Sequence, residues 1–156
     1  MSDLTHFGGD GRPRMVDVSS KSVSDRVAIA RGFVSVPDAL LARIADKMIS
    51  KGDVIAVAEL AGIMGAKRTA ELIPLCHPLS LDSVEVRICP AEGGLEITAQ
   101  AATAARTGVE MEAMTAVAVA CLTLYDMLKS AARDIRIERV ELIEKRGGKS
   151  GTWRRE

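Results

Sequence analysis

The sequence predicts an α+β fold, with helices packed on one face of an antiparallel sheet. Two observations carry the prediction. Residues alternate between faces at 26–36 and on both sides of a turn at 90–94, as in strands. Helical stripes follow Asp38 and Asp53, and a long Ala-rich run occupies 108–132. The resulting order, β-α-α-β-β-α-β, is a split βαβ, the ferredoxin-like arrangement. That arrangement hosts many unrelated activities and decides none of them.

Residues 1–14 read as a flexible arm and 15–156 as a single domain. Met15 to Val18 is short, apolar and extended. From Arg26 to Val36 the chain alternates, with Val27, Ile29 and Phe33 on one face. Asp38 is the N-cap of a helix striped by Leu40, Leu41, Ile44 and Met48, and Gly52 stops it. Asp53 caps a second helix, with Val54, Val57, Ala58, Ala61 and Met64 at helical spacing. In Ile73-Pro-Leu-Cys-His-Pro78 each proline pushes the residue before it into extended geometry, so the helix cannot continue. Val84, Val86 and Ile88 point inward from the next strand. Pro90 to Gly94 turns the chain, and Leu95, Ile97 and Ala99 lead it back. The long helix runs from Gly108 to about Ala132. A last strand holds Ile135 and Ile137, then Val140 and Leu142; the alternation slips by one near Arg139, which predicts a bulge.

A chain of 156 residues is one domain by length, enough to bury ~70% of its unfolded surface. Lys plus Arg and Asp plus Glu are 21 each, and this zero balance argues against a nucleic-acid or membrane-surface protein. Two Phe, one Trp and one Tyr leave little for stacking bases. The longest nearly apolar stretch, Ala113 to Tyr125, is interrupted by two Thr and falls short of the ~20 residues of a membrane span. The first 14 residues resemble neither a secretory signal nor a transit peptide, so a cytoplasmic protein is expected. Cys76, Cys89 and Cys121 are odd in number and widely spaced, which speaks against a disulfide framework or a thiol zinc site. With only His6 and His77 besides, no metal centre is expected.

Several local motifs admit two readings. Gly147-Gly-Lys-Ser-Gly151 has the ending of a P-loop, but Ile143 stands where the first glycine belongs and only five residues follow. It is either a flexible tail, which the local features favour, or a backbone nest with Lys149 that holds an anion. Lys67 and Arg68 end a helix of small packing residues, and could also meet a phosphate. His77, between two prolines, is equally a structural hydrogen-bonder or an imidazole presented by a stiff loop. Lys51 suits the helix C-terminus before Gly52, and Glu110 and Glu112 suit the start of the long helix, on dipole grounds alone. Asp126 and Lys129 are paired at i, i+3. The three turns before them are apolar nearly all round, so a partly exposed pair with moved pKa values is expected.

These residues lie in segments with a family resemblance. Leu4-Thr-His6, Met15-Val-Asp-Val18, Lys51-Gly-Asp53, Ala66-Lys-Arg-Thr69, Leu72-Ile-Pro-Leu-Cys-His-Pro-Leu79, Thr107-Gly-Val-Glu-Met-Glu-Ala113, Leu124-Tyr-Asp-Met127, Lys129 and Gly147-Gly-Lys-Ser-Gly151 follow in order from arm to tail. On them the chain resembles the molybdenum cofactor biosynthesis protein C family, the cyclic pyranopterin monophosphate synthases. The resemblance implies a lyase that converts cyclised dihydro-GTP, made by a radical enzyme, into cyclic pyranopterin monophosphate with release of diphosphate. It implies no metal or redox cofactor. The family's substrate contacts fall on Leu75, Cys76, His77, Met111 and Glu112. Its catalytic acid/base residue falls on Asp126, and its essential lysines on Lys51 and Lys129. Lys51, Lys67, Lys145 and Lys149 are then expected to hold the triphosphate. Departures are small: Leu128 and Ser130 flank Lys129, Arg106 stands in for a lysine, and 131–136 diverges.

A different class of function, a non-catalytic phosphate-binding interaction module, would not place a carboxylate beside a lysine at its anion site, so Asp126 favours an enzyme. Glu112 and Asp126, 14 residues apart, would lie roughly 21 Å apart along one helix. One site using both then needs two chains, unless 108–112 is a loop that folds back. The resemblance implies the same, a homohexamer built as a trimer of dimers.

Overall fold

The computed structural model describes residues 6–45 and 53–156. Leu4, Thr5, Met48, Lys51 and Gly52 lie outside the described residues. The elements are β1 (Ser24–Ser35), α1 (Asp38–Ala45), α2 (Val54–Ala66), α3 (Thr69–Leu72), β2 (Ser83–Ala91), β3 (Gly94–Ala105), α4 (Glu110–Leu128), β4 (Arg136–Arg146) and β5 (Trp153–Arg154). The strands form one sheet, β2-β3-β1-β4-β5, in which every neighbouring pair is antiparallel. This is the expected ferredoxin-like arrangement, with the short α3 and β5 added. The Met15–Val18 segment lies outside any helix or strand and pairs with no described strand, and α4 is shorter than its Ala-rich sequence suggests.

Helix α4 is the spine. It packs on β1, β3 and β4 and against α2. It is the one described helix long and apolar enough to cross a membrane, but half of that stretch is buried inside the fold, as in a core helix. The closeness of these contacts decides which residues face inward. In β1 the face under α4 is Ala28, Ala30, Gly32 and Val34. A Cβ on Gly32 would meet Val117 Cγ1 at 2.5 Å. Val27, Ile29 and Phe33 do share a face, as the alternation predicts, but it is the face away from the helices. There the Arg139 guanidinium lies 5.3 Å from the centre of the Phe33 ring.

The same closeness corrects the expected stripe of α2. Asp53 caps that helix as predicted, accepting from the Ala56 N–H at 3.0 Å. Its buried line is Val54, Ala58, Gly62, Gly65 and Ala66, while Val57, Leu60 and Met64 are exposed. A Cβ on Gly62 would stand 2.8 Å from the Ala116 carbonyl oxygen, and one on Gly65 2.7 Å from Val119. Small residues therefore take the inward positions, and larger apolar ones are left outside.

Strand β4 carries the predicted bulge. Phe33 pairs with Arg139 and Val34 with Ile137, which leaves Glu138 as the extra residue; a second shift leaves Ile143 extra.

Candidate active site

Two adjoining cavities open beside the N-terminus of α4. The smaller, 360 Å³, lies between that helix end, the proline-flanked loop and the Val16–Val18 segment. It is lined by Leu75, Cys76, His77, Met111 and Glu112, so the structure brings together these five expected substrate contacts. The larger, 750 Å³, is lined by Lys21, Arg26, Arg106, Lys145, Lys149 and Glu110, among others. Lys21, Thr107, Gly108 and Glu110 line both, so the two are continuous.

In the smaller cavity the His77 Nε2–H donates to the Val16 carbonyl at 2.8 Å. A carbonyl only accepts, so this bond places a proton on Nε2; in a neutral ring Nδ1 is then the acceptor. It also pins the 15–18 segment beside the cavity that Val16 and Val18 line. Asp17 in the same segment is held below the usual carboxylate range, mainly by the Ser19 N–H donated to it at 2.8 Å. Glu112, in the first turn of α4, is only 4% exposed, and burial raises its pKa, with Glu110 adding to the shift. Cys76 is raised too, by burial first and by Glu112 second, so its thiol stays protonated and is a poor nucleophile.

The larger cavity is basic. The glycine-rich tail enters it by two close approaches. A Cβ on Gly147, φ +99°, would fall 2.0 Å from the Asp25 carbonyl oxygen; one on Gly148, φ +73°, would fall 1.6 Å from the Arg26 guanidinium. Only glycine fits both the space and the backbone conformation. The tail is thus held against β1 and sets Lys149 on the cavity wall, rather than hanging free as its local features suggest. Lys145 pairs with Glu110 at 3.1 Å. Ser24, whose buried Oγ has no partner, lines the same cavity.

Other expected site residues lie elsewhere. Asp126 and Lys129 stand at the opposite end of α4 and line neither cavity. Lys129 Nζ donates to Asp126 Oδ1 at 2.5 Å, and this bond, with the charge of Asp126, raises the lysine pKa. Their side chains are 65% and 55% exposed, more than the apolar turns before them predict, because that apolar surface faces α2 and the sheet on one side only. Lys67 is exposed at the C-cap of α2 and lines neither cavity. Lys51 lies outside the described residues. The loop alternative for 108–112 is ruled out: Glu112 belongs to the unbroken helix.

Three cations of the larger cavity, Lys21, Arg26 and Arg106, were not among the expected phosphate ligands. Arg106, substituting for a family lysine, carried a signal; Lys21 in a polar loop and Arg26 at a strand start carried none. No group of three or more His, Cys, Asp or Glu among the described residues is arranged to hold a metal ion.

A family model described as the MoaC family matches residues 15–148. Among curated relatives, a cyclic pyranopterin monophosphate synthase of Thermomicrobium roseum is 58% identical over 158 positions, covering 100% of this chain and 95% of the relative. One of Novosphingobium aromaticivorans is 53% identical over 154 positions, covering 99% and 98%. One of Rhodospirillum rubrum is 54% identical over 152 positions, covering 96% and 92%.

Proposed function

The chain belongs to the MoaC family, and we propose that it is a cyclic pyranopterin monophosphate synthase, a lyase of molybdenum cofactor biosynthesis. Its substrate is the cyclised GTP intermediate 3',8-cyclo-7,8-dihydroguanosine 5'-triphosphate, supplied by a radical enzyme; its products are cyclic pyranopterin monophosphate and diphosphate. It works in the cytoplasm and uses no cofactor. The observation that supports this reading best is a cavity around Cys76, His77 and the buried Glu112 that is continuous with a cavity walled largely by cations.

The division of labour follows from that pairing. The smaller cavity takes the ring system, with His77 Nδ1 as an acceptor in the neutral ring and Glu112 as a carboxyl whose pKa burial raises. The larger takes the triphosphate. Lysine ammoniums and the Arg26 and Arg106 forks neutralise the charge that develops as diphosphate leaves. Asp126 and Lys129 supply acid/base chemistry, with Lys129, held charged by Asp126, as the acid or the charge-stabilising group.

Asp126 and Lys129 reach this site from a second chain. The assembly is a homohexamer made of dimers, with sites shared across dimer interfaces. The exposed Val57, Leu60 and Met64 of α2 and Leu122 and Tyr125 of α4 support it, since these apolar side chains are left uncovered by the described residues. Incubation with the cyclised GTP intermediate tests the activity. Release of pyranopterin and diphosphate is expected; binding without turnover would instead identify a phosphate-binding module.

A further inference from the structure

Among the described residues, Glu110 is the single acid lining the larger cavity. Its carboxylate occupies Lys145 Nζ at 3.1 Å, with both side chains partly buried. The placement is built into the backbone: a Cβ on residue 108 would fall 1.9 Å from Glu110 Oε2, so the carboxylate can fold back there only because residue 108 is Gly. An acid at the first turn of a helix has an electrostatic reason to be there. The cations Lys21, Arg26, Arg106, Lys145 and Lys149 draw it onto the cavity wall, where it offsets part of the positive charge that an anionic ligand would meet.

Carboxylate and phosphate oxygens compete for the same ammonium protons. A phosphate arriving at Lys145 must take that lysine from Glu110 and then stand beside a negative charge. Five cations without an opposing acid would hold diphosphate tightly, and a lyase that releases diphosphate cannot turn over while it stays bound. We propose that Glu110 is a positioning residue that competes with phosphate for Lys145 and so keeps the affinity of the cavity for diphosphate low. The proposal rests on the reading of this cavity as the triphosphate site. The unpartnered Ser24 hydroxyl on the same wall is a further donor for a phosphate oxygen.

Equilibrium dialysis with labelled inorganic diphosphate tests it on the intact protein. Glu110→Gln should bind diphosphate roughly three- to tenfold tighter than wild type, the scale of a partly exposed charge pair. Glu110→Asp, which keeps the charge on a shorter stem, should fall between the two. In a Lys145→Ala background, Glu110→Gln should gain clearly less, because the competition for that lysine has been removed and only the repulsion of the carboxylate remains. Unchanged or weaker binding by Glu110→Gln overturns the proposal, as does an equal gain in the Lys145→Ala background. If wild type binds neither inorganic diphosphate nor triphosphate, the reading of the cavity as a phosphate site falls first and the proposal with it.

Discussion

Glu112 and Asp126 stand on one uninterrupted helix, 14 residues and therefore about 21 Å of helix axis apart. Glu112 is buried beside the cavities, and Asp126 is exposed at the far end. No side chain spans that distance, so a site that uses both draws them from different chains. Mixing a His77→Ala chain with an Asp126→Ala chain, each inactive alone, should restore activity once subunits exchange. Mixed oligomers seen by mass spectrometry without recovered activity would show that each site is complete in one chain.

Asp126→Asn and Lys129→Ala should each abolish turnover yet leave substrate affinity within about tenfold, since acid/base groups act mainly in the transition state. Single-turnover product formation is the measurement, and a near-wild-type rate in either variant counts against the assignment. The 2.5 Å bond between the two residues adds a coupling. Once Asp126 is neutralised, Lys129 loses the partner that raises its pKa, so the double variant should be little worse than either single one.

Lys149→Ala should weaken binding of the triphosphate more than that of a phosphate-free nucleoside analogue. Lys149 stands on the wall of the basic cavity and not of the smaller one. Calorimetry with both ligands reads this directly, and equal losses would place the phosphates elsewhere.

Glu112 makes stability depend on pH in a stated direction. Burial raises its native pKa above the usual 4.5, so folding favours the protonated acid. The stabilisation is fully present below that value and is lost as pH rises through the raised native pKa. Glu112→Gln, neutral at every pH, should therefore gain stability over wild type at about pH 8 and gain nothing at about pH 4. In melting temperature the gain is roughly 2–4 °C for each kcal/mol relieved in a chain of this size. A variant less stable than wild type at both pH values would mean that the carboxylate is ionised and held by its surroundings.

The sequence by itself determined the order of elements, the Asp53 cap, the turn between β2 and β3, the bulge near Arg139 and the proline-stiffened loop. Each depends on bonds or steric limits within a few residues, where local chemistry is decisive. The family segments likewise marked Leu75 to His77, Met111 and Glu112, which do meet in one cavity. Only the tertiary structure decided which faces of β1 and α2 turn inward. Apolar alternation reports how much surface a residue would like to bury, whereas a close helix contact selects for small volume. So Ala28, Ala30, Gly32, Gly62 and Gly65 lie inside, while Val57, Leu60 and Met64 lie outside. It also decided the basic cavity, which joins Lys21, Arg26 and Arg106 to a glycine-rich tail from the other end of the chain. That meeting arises because β4 pairs with β1 and carries the tail back over Arg26, a long-range pairing that no local pattern encodes.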